Sequence, residues 1–224
     1  MKKKLQVKIC GLTKVDEALS CVQLGADAIG LVFYHRSPRN VSEKKAKIIA
    51  DALPDNVASV GVFVDETLDF ILNKVEKCGL TAVQLHGNEP ALMVKKLMDR
   101  NIKVFKALFL KKEPMLHMAK LYNPSAFLLE CGTGKLPGGN ARQWDWSKAG
   151  DLDTTHPVIL AGGLSPDNIA KAIHLCKFDA VDISSGVELA PGRKDPVKVK
   201  KLMGVIHQST ISNNKNSTLP SLFI

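Results

Sequence analysis

Short apolar runs recur along the chain, and a longer amphipathic segment follows most of them. The strand candidates are residues 5–9 (LQVKI), 28–33 (AIGLVF), 57–64 (VASVGVFV), 81–85 (TAVQL), 102–108 (IKVFKAL), 125–130 (SAFLLE), 157–161 (PVILA) and 180–184 (AVDIS). Several are apolar almost throughout, as parallel strands buried on both faces require. The intervening segments read as helices. Thr13 and Asp16 form an S/T-x-x-D/E start signal, Val15, Ala18, Leu19 and Val22 repeat at helical spacing, and Gly25 ends the run. A second helix is expected to start at Ser42 and to stop before Pro54. Ser165 and Pro166 offer a cap and a first helical position for another, and residues 195–208 form the last. Eight strands alternating with helices predict a closed (β/α)8 barrel. An open doubly wound sheet is the alternative, but neither G-x-G-x-x-G nor Walker A is present to support one.

A chain of 224 residues fits one such barrel, expected over residues 1–207. After His207 the sequence turns polar and then briefly apolar (QSTISNNKNSTLPSLFI), so residues 208–224 are expected to be a frayed tail outside the barrel. No apolar run approaches the roughly 18 residues a membrane span needs. The N-terminus begins like an export signal, but Lys8 interrupts its apolar stretch, so no signal peptide is expected. The five cysteines, at 10, 21, 78, 131 and 176, form no C-x-x-C pair and are odd in number. That pattern indicates free thiols in a reducing cytoplasm, with neither a disulfide framework nor a zinc site. The formal charge is +9, yet the lysines are scattered in short pairs and only two tyrosines and two tryptophans could stack on bases. A solvated basic surface is therefore expected, with no nucleic-acid partner, although net positive charge would attract an anionic substrate.

Barrel enzymes place their active sites at the C-terminal ends of the strands. Cys10 ends the first strand candidate, and Gly11 follows it. A lone cysteine is usually a small buried hydrophobe; at this position it is also a candidate reactive group. Arg36 and Arg39 follow the second strand, His86 the fourth, and Glu130 ends the sixth. Gly162 and Gly163 follow the seventh, and Asp182, Ser184, Ser185 and Gly186 lie at the end of the eighth. Barrels commonly hold a phosphate on the loops after strands seven and eight. Glycines there let backbone N–H groups approach an anion, so Gly162, Gly163, Ser185 and Gly186 are the phosphate candidates. Arg39 is suited to a bidentate grip on a substrate carboxylate. His86 alone reads as a structural histidine, and no second ligand at a suitable spacing makes it a metal site.

The segments KICGLT, GLVFYHRSPRNVS, VGVFV, VQLHGNE, LAGGLSPDNI and VDISSGVELAPGRKD run in order from about Val7 to Asp195. Together they resemble the phosphoribosylanthranilate isomerase family of tryptophan biosynthesis. The resemblance implies an Amadori rearrangement of N-(5-phosphoribosyl)anthranilate to 1-(2-carboxyphenylamino)-1-deoxyribulose 5-phosphate, with no metal or cofactor. It implies that Cys10, as thiolate, is the general base and that Arg39 holds the anthranilate carboxylate. His86 and Asp182 become substrate-binding or orienting residues. The partner it implies is a small phosphorylated substrate, and the chain is expected to be a monomer.

The chain departs from the family pattern at strand six. Glu130 stands where the family has an aspartate acid, and Gly138 to Ala141 (GGNA) replace a glycine-rich stretch. Glutamate does the same chemistry from about one methylene further away, so Glu130 is the expected acid. Asp145, before Trp146, is expected to cap a helix. A related sugar-phosphate isomerase with two aspartates fits less well, because this chain has a cysteine on strand one. The departures leave a second reading, a sugar-phosphate-binding barrel without catalysis.

Overall fold

The computed structural model describes residues 5–133, 143–212 and 222–224. All eight predicted strands form, and they close into a parallel barrel in sequence order. The first half runs β1 (Gln6–Cys10), α1 (Val15–Gln23), β2 (Ala28–Phe33), α2 (Glu43–Asp51), β3 (Ala58–Phe63), α3 (Leu68–Cys78), β4 (Ala82–Leu85) and α4 (Ala91–Met98). The second half runs β5 (Lys103–Phe109), β6 (Ala126–Glu130), β7 (Val158–Leu160), α5 (Ile169–Leu175) and β8 (Ala180–Ile183). A small hairpin follows, β9 (Glu188–Ala190) and β10 (Arg193–Lys194), before α6 (Pro196–Ser212). β8 closes the ring on β1, with Gln6 beside Ala180 and Ile9 beside Ile183.

Each strand divides its residues between two environments, because successive side chains point to opposite faces. Val7 and Ile9 of β1, Val104 and Leu108 of β5, and Val181 and Ile183 of β8 join the core between strands and helices. The alternate positions face the barrel interior, where Ala28, Ala58, Ala82, Ala126 and Ala180 line the N-terminal end. Bulky branched residues usually fill a barrel interior; a ring of alanines leaves space. Phe223, only 1 % exposed, fills it together with Leu222, its ring 5.6 Å from Phe105 in an edge-to-face contact. The backbone N–H of Leu222 also donates to Gln6 Oε1 at the start of β1, 2.7 Å away.

This corrects the expectation of a frayed tail at both ends of the segment: α6 continues to Ser212, and Leu222 and Phe223 are core residues. Residues 213–221 lie outside those described. Truncating Phe223 to alanine should lower unfolding stability by on the order of 2 kcal/mol, as for other large-to-small core changes. Urea unfolding measures this, and an unchanged midpoint would return the chain end to the solvent.

Two crossovers differ from the predicted alternation. Among the described residues, the β5–β6 and β6–β7 connections carry short 3₁₀ turns, Leu116–Leu121 and Trp146–Asp151, in place of α-helices. Short 3₁₀ pieces serve as connectors where there is little room for α-helical turns, and the first lies between Pro114 and Pro124. Ser42, at the expected start of the second helix, caps α2 by accepting from the Lys45 N–H. Thr13 does not cap α1; its hydroxyl donates to the Gly192 carbonyl and ties the β1–α1 loop to the hairpin. Ser165 does not cap α5, which begins only at Ile169, after Asn168.

Candidate active site

The predicted chemistry gathers at one end of the barrel because every candidate lies at or just beyond the C-terminal end of a strand. Cys10 closes β1 and is buried, on the interior side shared with Lys8. Its strand partner is Gly30 of β2. A Cβ at residue 30 would lie 2.6 Å from Cys10 Sγ, so the glycine makes the space the thiol occupies. The Ser184 hydroxyl donates to the Cys10 carbonyl at 3.0 Å and fixes the end of β1 against that of β8.

Lys8, fully buried and two residues before Cys10, places its Nζ 2.9 Å from Asp182 Oδ2. The contact is an ion pair without hydrogen-bond alignment: Lys8 Nζ and Asp182 Oδ1 have no hydrogen-bond partner among the described residues. Burial alone would lower the Lys8 amine, but the Asp182 charge and the nearby thiol outweigh it and raise the group above its ordinary range. Cys10 is affected in the opposite sense to expectation. Burial raises its thiol, the charge on Lys8 opposes this, Asp182 adds to it, and Lys194 lowers it again, with a net rise. The free site therefore holds the thiol protonated more firmly than water does.

Arg39 lies in the loop after β2, as predicted, but its guanidinium fork is engaged. Nε donates to Glu188 Oε1 at 2.9 Å and Nη2 to Glu188 Oε2 at 2.6 Å. Lys194 of β10 donates to the same carboxylate at 2.7 Å and to the Ser184 carbonyl at 3.2 Å. Burial would raise the Glu188 carboxyl, yet the Arg39 hydrogen bonds and the Lys194 charge hold it below its ordinary range. Removing Arg39 thus leaves the buried Glu188 carboxylate short of a partner. Arg39→Ala should cost on the order of 1–3 kcal/mol of stability, the usual scale for such a group. Because the Glu188 carboxyl is depressed, the pair's contribution exists at neutral pH and fades as pH falls through that lowered value. Denaturant curves at neutral and acid pH test this: the gap between wild type and Arg39→Ala should narrow in acid.

Across the barrel, Glu130 ends β6 at 7 % exposure, and its Oε2 lies 2.8 Å from His86 Nε2. His86 Nδ1 lies 2.9 Å from Gln84 Nε2, on the interior face of β4. With the amide donating to Nδ1, the ring N–H sits on Nε2 and points at Glu130. Phe109 packs edge-to-face on the imidazole, with centroids 5.4 Å apart. The loop carrying His86 is anchored from below by Lys106, which donates to the Gly87 carbonyl and to Glu89, both at 2.8 Å.

Gly162 and Gly163 both adopt positive φ, 87° and 71°, a turn that side chains disfavour. Trp144 and Trp146 hold this loop through indole N–H bonds to the Ala161 and Gly162 carbonyls. Asn168 holds it too, donating to the Gly163 carbonyl at 2.8 Å. The loop carrying Ser185 and Gly186 packs directly on it: a side chain at Gly186 would run into the Leu164 carbonyl. Asp145 is exposed and caps the following turn by accepting from Ser147, as the sequence predicts. Residues 138–141, the altered glycine-rich stretch, lie outside those described.

The residues thus form two groups. Cys10, Lys8, Asp182, Arg39, Glu188 and Lys194 line the β1–β2–β8 side, and Glu130, His86 and Gln84 the β4–β6 side. Lys8, Gln84, Glu188 and Lys194 were not among the candidates read from the sequence. The signal for Lys8 is its alternation: Gln6, Lys8 and Cys10 share one face of β1, while Val7 and Ile9 take the other.

The family model for N-(5'-phosphoribosyl)anthranilate isomerase matches residues 7–205. The chain belongs to the phosphoribosylanthranilate isomerase family. It is 48 % identical over 199 residues to the N-(5'-phosphoribosyl)anthranilate isomerase of Desulfatibacillum aliphaticivorans, covering 89 % of this chain and 91 % of that one. Among solved structures it resembles monomers generated from the dimeric isomerase of Thermotoga maritima, at 38 % identity and a TM-score of 0.80 over 91 % of this chain and 99 % of that one. A phosphoribosylanthranilate isomerase in complex with reduced 1-(o-carboxyphenylamino)-1-deoxyribulose 5-phosphate matches at 37 % identity and a TM-score of 0.79, with the same coverage. The family match ends before Leu222 and Phe223, so the aromatic filling of the barrel floor lies outside the matched region.

Proposed function

We propose that this member of the family converts N-(5-phosphoribosyl)anthranilate to 1-(2-carboxyphenylamino)-1-deoxyribulose 5-phosphate in tryptophan biosynthesis, with Glu130 as acid and Cys10 as base. The observation that carries the assignment is that a buried carboxyl, set against His86, and a buried thiol stand on opposite sides of one strand-end face. His86 occupies one Glu130 oxygen, which leaves the other to deliver a proton to the furanose ring oxygen. The C1–O bond then breaks and C1 becomes a protonated Schiff base. Cys10, as thiolate, takes the proton from C2, and the C2–H electron pair flows into a C1–C2 double bond while the nitrogen accepts the iminium pair. The resulting enolamine gains a proton at C1 and loses its hydroxyl proton, giving the C2 ketone.

Acid and base on separate strands can address two different substrate atoms without moving, which suits a rearrangement that needs protonation at one centre and deprotonation at another. The two coupled Gly/Ser loops, at Gly162–Gly163 and Ser185–Gly186, would take the phosphate through backbone N–H groups. Arg39 would meet the anthranilate carboxylate while Glu188 fixes the plane of its guanidinium. A fluorescence assay following loss of phosphoribosylanthranilate tests the activity, together with rescue of a tryptophan auxotroph lacking this step. Absent turnover in folded protein would select the sugar-phosphate-binding barrel without catalysis.

The same reading makes the protein a cytoplasmic monomer. No disulfide joins its five cysteines. The exposed large apolar side chains on helices include Ile48, Leu92, Leu175 and Val197, one each on α2, α4, α5 and α6. Such single residues are ordinary surface. Light scattering at the 24.4 kDa of one chain is the expected result, and twice that mass would overturn it.

A further inference from the structure

We infer that Lys8 is the positioning residue of the base: its buried ammonium, held in place by Asp182, is the counter-charge for the Cys10 thiolate. This rests on the reading of Cys10 as the base. A fully buried lysine inside a barrel needs a reason, since burying an ammonium is costly unless a carboxylate pairs with it and its protons are used. Asp182 supplies the charge, at 2.9 Å, but the two groups are not aligned as a hydrogen bond. The ammonium therefore retains donor capacity, and Cys10 is the next residue along the same interior face.

The charge count around the thiol points the same way. The charged groups that act on Cys10 are Lys8, Asp182 and Lys194, and Lys194 is paired with Glu188, which Arg39 also holds. Glu17, which accepts from the Lys194 backbone N–H, is paired with Arg193 at 2.7 Å. The inner group thus holds three cations (Lys8, Lys194 and Arg39) against two carboxylates (Asp182 and Glu188). It is balanced when Cys10 gives up its proton. Lys194 and Arg39 both spend hydrogen bonds on Glu188, so Lys8 is the cation left to the thiolate. Lys8 and Lys194 also oppose the effect of burial on the thiol, and Lys8 does so more strongly.

The test reads the thiolate directly. Wild type, Lys8→Met, Lys8→Arg and Lys8→Met/Asp182→Asn are alkylated with iodoacetamide across a pH series, and modification at Cys10 is quantified by peptide mass spectrometry. In Lys8→Met the midpoint for Cys10 alkylation should move up by about one pH unit or more, the usual effect of removing an adjacent opposite charge. The rising limb of kcat/KM with pH should move with it. Lys8→Arg keeps the cation and should stay closer to wild type. If Lys8→Met fails to fold because Asp182 is left unpaired, the double variant removes both charges and should still shift upward, by less. A midpoint unmoved in the folded variants overturns the role of Lys8. Loss of Cys10 as base is recognised separately, by near-normal turnover of Cys10→Ser, whatever the alkylation shows.

Discussion

Cys10→Ser abolishes most turnover and leaves the barrel folded. The thiol occupies space set by Gly30, and a hydroxyl is smaller than a thiol, so the substitution introduces no clash. It removes a group that can be deprotonated near the working pH and leaves one that cannot, so the loss should appear in kcat and kcat/KM together. The expected fall is on the order of 10²-fold or more, the scale of general-base catalysis. Because burial raises the wild-type thiol, the wild-type kcat/KM should climb with pH through the alkaline range as the thiolate forms. Cys10→Ser should lack that limb. Steady-state assays across pH with folding checked by circular dichroism decide it, and near-normal turnover in folded Cys10→Ser would remove the base.

The strand-end candidates were legible because two periodicities coincide in this chain. Apolar runs fix where strands lie, and the first chemically active residue after each run then falls at the C-terminal face. Cys10, His86, Glu130 and Asp182 were reached in that way. What each side chain bonds to was not legible, because the partners come from elsewhere in the chain. Arg39 and Glu188 are 149 positions apart and meet only when β8 closes beside β1 and the hairpin folds over the loop after β2. Lys8 was visible, but its meaning requires knowing which face of β1 looks inward, and the apolar pattern of Val7 and Ile9 shows this only once a barrel is assumed. The thiol's environment was misjudged for a related reason. The role of base asks for a site that favours the thiolate, whereas the depth of burial, which works against it, depends on the packing of the surrounding strands. The chain end was misread because its polar stretch masks Leu222 and Phe223, which fill a space left by five alanines on five different strands.

The sharpest test of the acid is a pair of substitutions at Glu130. Glu130→Gln keeps the length of the side chain and an oxygen able to accept from His86 Nε2, so the β4–β6 side of the site should persist. It removes the transferable proton, and turnover should fall by roughly 10²-fold or more. Glu130→Asp restores the residue that the family resemblance places here, on a site shaped around glutamate. The carboxyl is drawn back by about one methylene, and a shift of about 1 Å can cost around 10²-fold when it misplaces a reacting group. Measurable activity below wild type is the expected outcome, because the same group remains on the same strand. His86 separates position from proton donation. In Glu130→Asp the hydrogen bond from His86 lengthens or breaks, so a further His86→Asn change should cost less there than in the wild-type background. Steady-state turnover of the single and double variants measures that coupling, and equal costs in both backgrounds would mean that His86 does not act through Glu130. Full activity in Glu130→Gln would dismiss Glu130 as the acid. Asp145 could not replace it, since it is exposed and committed to Ser147. Glu188 is committed to Arg39 and Lys194, so Asp182 would be the carboxyl to test next, and the Lys8–Asp182 pair would have to be read as holding a proton donor instead of supporting the base.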